Sequence, residues 1–161
     1  MSQLRLGTPK ARSGGHEFNC DLEEWAMIHR LGGLASGLAV ALFTIMFVEF
    51  IGNQLVPPPS GYDMGAGSAM SLPVENLIWP VIGWFLGALA GAWVAIRISG
   101  ERWTAWAIVA LVLAATIFNF ALITHPLWMM IVGVLAPILG GWVGQALPKG
   151  RPPKIDLESA D

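Results

Sequence analysis

The chain has 161 residues, of which 55% are hydrophobic and only 12% charged, and its formal net charge is −2. The length suits one domain, but a soluble fold of that size carries about twice as much charge in its shell, so an ordinary soluble domain is excluded. No basic tract is long enough to bind nucleic acid, and the single cysteine, Cys20, excludes an internal disulfide and any multi-cysteine metal site.

Taken in order, residues 1–15 hold Arg5, Lys10, Arg12 and three glycines and are predicted to be a disordered arm. Residues 16–30, HEFNCDLEEWAMIHR, read as a short amphipathic helix. Asp21 can cap it, Glu23 and Glu24 suit its first turn, and Leu22, Trp25, Met27 and Ile28 form an apolar stripe. The pattern predicts an interfacial helix lying against the cytoplasmic leaflet; the sharper alternative is a docking helix for a partner. His16, Cys20 and His29 have no metal-ligand spacing. The apolar run 31–55 follows 30 polar-leaning residues, whereas a signal peptide puts its core of about 7–15 residues near the N-terminus. It is therefore read as a retained span, the first of four.

Within that span Gly33 and Gly37 form a small-xxx-small pair that allows close helix contact. Glu49 and Asn53 lie four residues apart and share a face, with Glu49 roughly 9 Å from the helix end at 1.5 Å per residue. Pro57, Pro58 and Pro59 stop the helix and favour extended backbone, and Ser60-Gly61-Tyr62-Asp63 reads as a turn. A second helix is predicted over 74–97, where Gly83, Gly87 and Gly91 recur every four residues beside Ala88, Ala92 and Ala95. That spacing places it in the middle of a bundle. A five-residue hairpin, 98–102, leads to a third helix over 103–123, whose polar residues are Thr104, Thr116 and Asn119. Thr124-His125-Pro126 is a tight turn, and the fourth helix, 126–147, carries Gly133, Gly140, Gly141 and Gly144, with Pro137 as a candidate kink. Residues 148–161 are predicted to be a disordered tail.

The expected fold is an all-α, four-transmembrane-helix bundle. Its orientation follows from the nine basic residues: four precede the first span, two lie in the hairpin and three follow the last span, with none in the other two loops. Four spans put all nine on one side, so both termini are expected in the cytoplasm. Trp79 and Trp128 would then mark the outer interface, and Trp103 and Trp142 the inner one.

This topology brings Glu49, Asn53, Asn119 and His125 to a common depth near the non-cytoplasmic face, and Asp63 can fold back towards them. An ionisable group in a span costs about 2–3 kcal/mol unless it is paired or hydrated. Either the five satisfy one another and hold the proline loop, or they form an outward-facing binding or proton-accepting site, or they are merely exposed to the headgroups. Glu49, Asp63 and His125 include one histidine and no regular spacing, so no metal site is expected. A haem held by two in-membrane histidines is excluded. Nucleophile elbow, phosphate-binding loop and dinucleotide fingerprint are all missing, so neither cofactor nor catalytic residue is assigned.

Val48-Glu49, Gly52, Pro57-Pro58-Pro59, Gly61 and Asp63, with His125-Pro126-Leu127-Trp128, resemble a family of small bacterial four-helix inner-membrane proteins. The resemblance covers roughly residues 34–147, and the first 30 residues stand outside it. Histidine often follows the helix-1 glycine in that pattern, where this chain has Asn53. The resemblance implies the topology, an inner-membrane location and a shared outer site, and no activity. Three functions remain open. The first is a non-enzymatic accessory or structural subunit, as a homo-oligomer or with a membrane-protein partner. The second is a small oligomeric proton-coupled transporter or channel using Glu49. The third is a membrane enzyme acting on a lipid-type substrate.

Overall fold

A computed structural model of the chain describes residues 15–62 and 69–147, and the side chains from residue 25 onward except that of residue 26. Four helices account for most of them: α1 (Gly15–Leu55), α2 (Val74–Ser99), α3 (Arg102–Leu122) and α4 (Leu127–Ala146). Each contains a stretch long and apolar enough to cross a bilayer, beginning at Met27 in α1. There is no strand among the described residues. The architecture is all-helical, with four helices long and apolar enough to span a membrane, at the four places that hydropathy predicts.

The main departure from expectation is at the start. Residues 16–30 are not a separate interfacial helix; they continue into 31–55 as one helix of 41 residues. No proline interrupts the junction, and Gly32 and Gly33 are tolerated inside a helix at modest cost. At 1.5 Å per residue α1 is roughly 60 Å long, twice a hydrocarbon core of about 30 Å. The arm 1–14 and the tail 148–161 lie outside the described residues.

Helix α2 contacts all three other helices, whereas α1 and α4 do not touch among the described residues. The glycine spacing is the reason. A Cβ at Gly91 would stand 2.6 Å from the Gly37 carbonyl oxygen, and one at Gly37 2.7 Å from the Gly91 oxygen, so these two residues bring the α1 and α2 backbones together. Gly87 faces the Ala41 carbonyl, and Gly33 the Ala95 carbonyl. On the other side Gly140 and Gly144 seat α4 against the Phe85 and Leu89 carbonyls of α2, while Gly141 accommodates Val109 of α3. Lipid offers apolar side chains as good a solvent as a protein core does, so close backbone approach is what holds such helices together. Ala88, Ala92, Ala95, Ala105 and Ile108 fill the remaining space.

The α2–α3 connection is tighter than predicted. Helix α2 runs on to Ser99, Gly100 caps it in the left-handed region at φ 75°, and α3 begins at Arg102. The polar groups here are mutually satisfied. The Thr104 hydroxyl donates to the Glu101 carbonyl at 2.7 Å and stands 2.8 Å from the Ser99 hydroxyl, and the Glu101 amide donates to Ser99 Oγ at 3.2 Å. Arg30 Nε donates to Glu101 Oε1 at 2.8 Å, tying α1 to the turn, and the Trp103 indole donates to Glu101 Oε2. Because Arg30 marks the level of this turn, residues 15–29 project about 22 Å past it. Arg97 lies over the Trp93 ring at 4.9 Å.

Candidate functional site

At the opposite end the bundle opens. Residues 56–62 carry the chain away from α1 as an extended proline run. It closes in a turn in which the Tyr62 amide donates to the Pro59 carbonyl and Gly61 takes φ 86°, the positive value that a type II turn requires. Asn76 Nδ2 donates to the Val56 carbonyl at 2.7 Å, pinning the beginning of this loop to the first turn of α2. The Ala69 amide donates to the Thr124 carbonyl at 2.8 Å, joining the same connection to the α3–α4 turn.

These ties frame a cavity of about 260 Å³. Glu49, Asn53, Asn119 and His125, the four sequence-predicted residues that the structure describes, all line it. Glu49 and Asn53 enter from the last turns of α1, Asn119 from the last turn of α3, and His125 from the residue pair before α4. Asp63, the fifth, lies outside the described residues. Trp79, Trp84, Met129, Leu77, Ile123, Pro80 and Tyr62 supply most of the apolar and aromatic wall.

Three local arrangements shape it. Trp79 is seated on Gly52, where a Cβ would collide with its indole ring. Trp79 is thus a wall of the cavity. The second is an aromatic relay. Trp84 meets Phe120 edge-on at 5.6 Å, and Phe120 meets the His125 ring edge-on at 5.1 Å. Gly133 makes room for it, since a Cβ there would stand 2.6 Å from Trp84 and 2.8 Å from Phe120. The third is the α3–α4 turn, where His125 Nδ1 lies 2.6 Å from the Ile123 carbonyl oxygen. A carbonyl only accepts, so Nδ1 carries the proton, and in the neutral ring Nε2 is the acceptor.

The charge content of the cavity is one-sided. Glu49 is a carboxylic acid in an apolar stretch long enough to cross a membrane, and among the described residues neither lysine nor arginine lines the wall. The described arginines Arg30, Arg97 and Arg102 sit at or near the α2–α3 turn, at the other end of the helices. Among the described residues no group is hydrogen-bonded to the side chains of Glu49, Asn53 or Asn119. By contrast, Thr44 donates to the Val40 carbonyl at 2.8 Å and Thr116 to the Val112 carbonyl at 2.9 Å, each within its own helix. No three His, Cys, Asp or Glu side chains among the described residues form a metal-ion ligand set.

Sequence reasoning missed Asn76, Tyr62, Trp84 and Met129 as lining residues. One signal was available for Asn76. It precedes Pro80 by four positions, and a proline inside a helix leaves the carbonyl four residues back without its N–H partner. Such an interruption in the first two turns of an apolar helix marks a polar environment there. No family model matches this chain, and comparison with curated proteins and with solved structures returned no match.

Proposed function

We propose that the chain is a multi-pass protein of a bacterial inner membrane, with both termini cytoplasmic, acting as a non-enzymatic accessory subunit through its outward-facing cavity. The carrying observation is the convergence of Glu49, Asn53, Asn119 and His125, from three helices and a turn, on one cavity. The side chains of three of the four have no hydrogen-bond partner among the described residues. Unpaired polar groups within a span are costly to a structure and are typical of sites that engage something else. The distribution of basic residues supports the orientation, because Arg30, Arg97 and Arg102 gather at the end opposite the cavity. The resemblance to small four-helix inner-membrane proteins supports the location.

Two measurements test this reading. In a Cys20→Ser background, Gly61→Cys should react with a membrane-impermeant maleimide in whole cells, and Arg97→Cys should react only after lysis; the reverse pattern rejects the orientation. Purified in a mild detergent, the tagged chain should migrate in an assembly larger than itself, as a homo-oligomer or with a membrane-protein partner. A solitary monomer rejects the subunit role.

Proton-coupled transport is the second reading, favoured by a carboxylate and an imidazole lining the same cavity. It demands that the opposite half open, where Gly37 and Gly91 hold two backbones in contact. Glu49→Gln must abolish proton-linked flux for that reading to stand.

A further inference from the structure

The cavity has a definite chemistry, and we propose that it binds a small protonated amine, with Glu49 as the counter-charge and Trp79 and Trp84 as the faces that receive its apolar body. The assignment rests on the reading of the cavity as the working site and names its ligand class.

Charge decides the first point. Among the described residues the wall holds one carboxylate and no lysine or arginine, so an anion would meet a like charge and find no cationic partner. A cation would neutralise Glu49. Aromatic walls add to the preference, because the negative face of an indole attracts a nearby cation, and tryptophan does so best. Hydrogen-bonding capacity decides the second point. The lining offers several acceptors beside the N–H donors of its asparagine amides: the two Glu49 oxygens, the amide oxygens of Asn53 and Asn119, and Nε2 of His125, whose Nδ1 proton is committed to Ile123. A primary ammonium brings three N–H donors to such a set, whereas a quaternary ammonium brings none. Size decides the third. A cavity of roughly 150 Å³ in another protein accepts benzene, so about 260 Å³ here admits one ring with a short ammonium arm.

The test uses the full-length protein in detergent and three probes of one skeleton, benzylammonium, benzyl alcohol and benzoate, measured by isothermal titration against matched detergent blanks. Benzylammonium is expected to bind saturably, at least tenfold more tightly than benzyl alcohol, and benzoate not at all. Glu49→Gln should remove that tenfold preference while leaving the weak binding of the alcohol. Arg30→Gln, at the far end of the bundle, should change neither. Equal binding of the alcohol and the ammonium by the unaltered protein overturns the amine assignment and leaves the cavity as a neutral-ligand site. Preference for benzoate overturns it as well. If no probe of any charge binds, both the assignment and the cavity reading fail. The comparison of probes on the unaltered chain stands whether or not the variant folds.

Discussion

The two ends of this bundle solve the same problem in opposite ways. At the α2–α3 end the helices are drawn together until backbone meets backbone across Gly33, Gly37 and Gly91, and the polar groups of Ser99, Glu101 and Thr104 are hydrogen-bonded to one another. At the other end large side chains, Trp79 and Trp84, stand between the helices. Gly83 still meets α1, but at an ordinary 3.4 Å. The space left over is lined by Glu49, Asn53, Asn119 and His125. One end is closed and internally satisfied; the other is open and holds polar groups with no partner of their own. A bundle that needed only stability would have been built like the first end throughout.

The sharpest way to break this comparison is to disturb the closed end. Gly91→Leu should abolish recovery of folded protein, because its side chain must enter the space filled by the Gly37 carbonyl, Ala41 and Ile108. Gly91→Ala should cost about 1–3 kcal/mol, the usual penalty for overpacking, read as a lower melting temperature in detergent. Gly83→Ala, towards the open end, should cost much less. Gly32→Ala should be neutral or slightly stabilising, since a Cβ there meets nothing within 4 Å and alanine favours the helix. Equal effects at Gly91 and Gly32 would mean that the close approach of α1 and α2 is not what holds the bundle.

Next in size is the polar lock at the same end. Thr104 is fully buried and bonded to both Ser99 and Glu101. Thr104→Val keeps the shape and removes the hydroxyl, leaving the Glu101 carbonyl without that donor. The expected loss is about 1–3 kcal/mol, measured by equilibrium unfolding. A change smaller than a few tenths would show that water replaces the hydroxyl and that this end is less closed than its packing implies.

The open end predicts the opposite sign. Glu49 has no hydrogen-bond partner among the described residues, so removing its charge should not weaken the fold. Glu49→Gln is expected to leave stability unchanged or to raise it by up to about 1 kcal/mol, as substitutions at functional positions often do. A loss greater than about 1 kcal/mol would make Glu49 a structural residue and would weaken the case for a ligand.

How much of this was legible in the chain follows from the same physics. The four spans were, because apolar runs of about 20 residues leave few alternatives. The central place of α2 was also legible, because Gly83, Gly87 and Gly91 repeat with the helix period. The shared depth of Glu49, Asn53, Asn119 and His125 followed from counting residues from the helix ends. The continuity of α1 through Arg30 was not legible: amphipathic composition describes which faces a helix shows, not whether its axis turns. Nor was the role of Trp79 as a wall, because tryptophan near a helix end reads as an interface marker whether it faces lipid or a cavity. The tie from Ala69 to Thr124 was invisible for a simpler reason. It is a backbone bond between two connections, and no side-chain pattern encodes it.

The smallest expected effect belongs to the ion pair that fastens α1 to the turn. Glu101 is held below the usual carboxylate range, chiefly by the Trp103 indole N–H and then by Arg30. A carboxyl whose folded value is depressed binds its proton less readily in the folded chain than in the unfolded one. Its contribution is therefore fully present above the unfolded value, near 4.5, and is lost as the pH falls through the lower folded value. The pair is exposed to solvent and weakened further by salt. Melting temperature followed from pH 6 down to pH 3 at low ionic strength should thus decline slightly more for the unaltered chain than for Glu101→Gln, which has no proton to gain there. Raising the salt should shrink that difference. Parallel acid profiles would mean that the packing of Gly33 and Gly37 against α2 positions α1 without help from the pair.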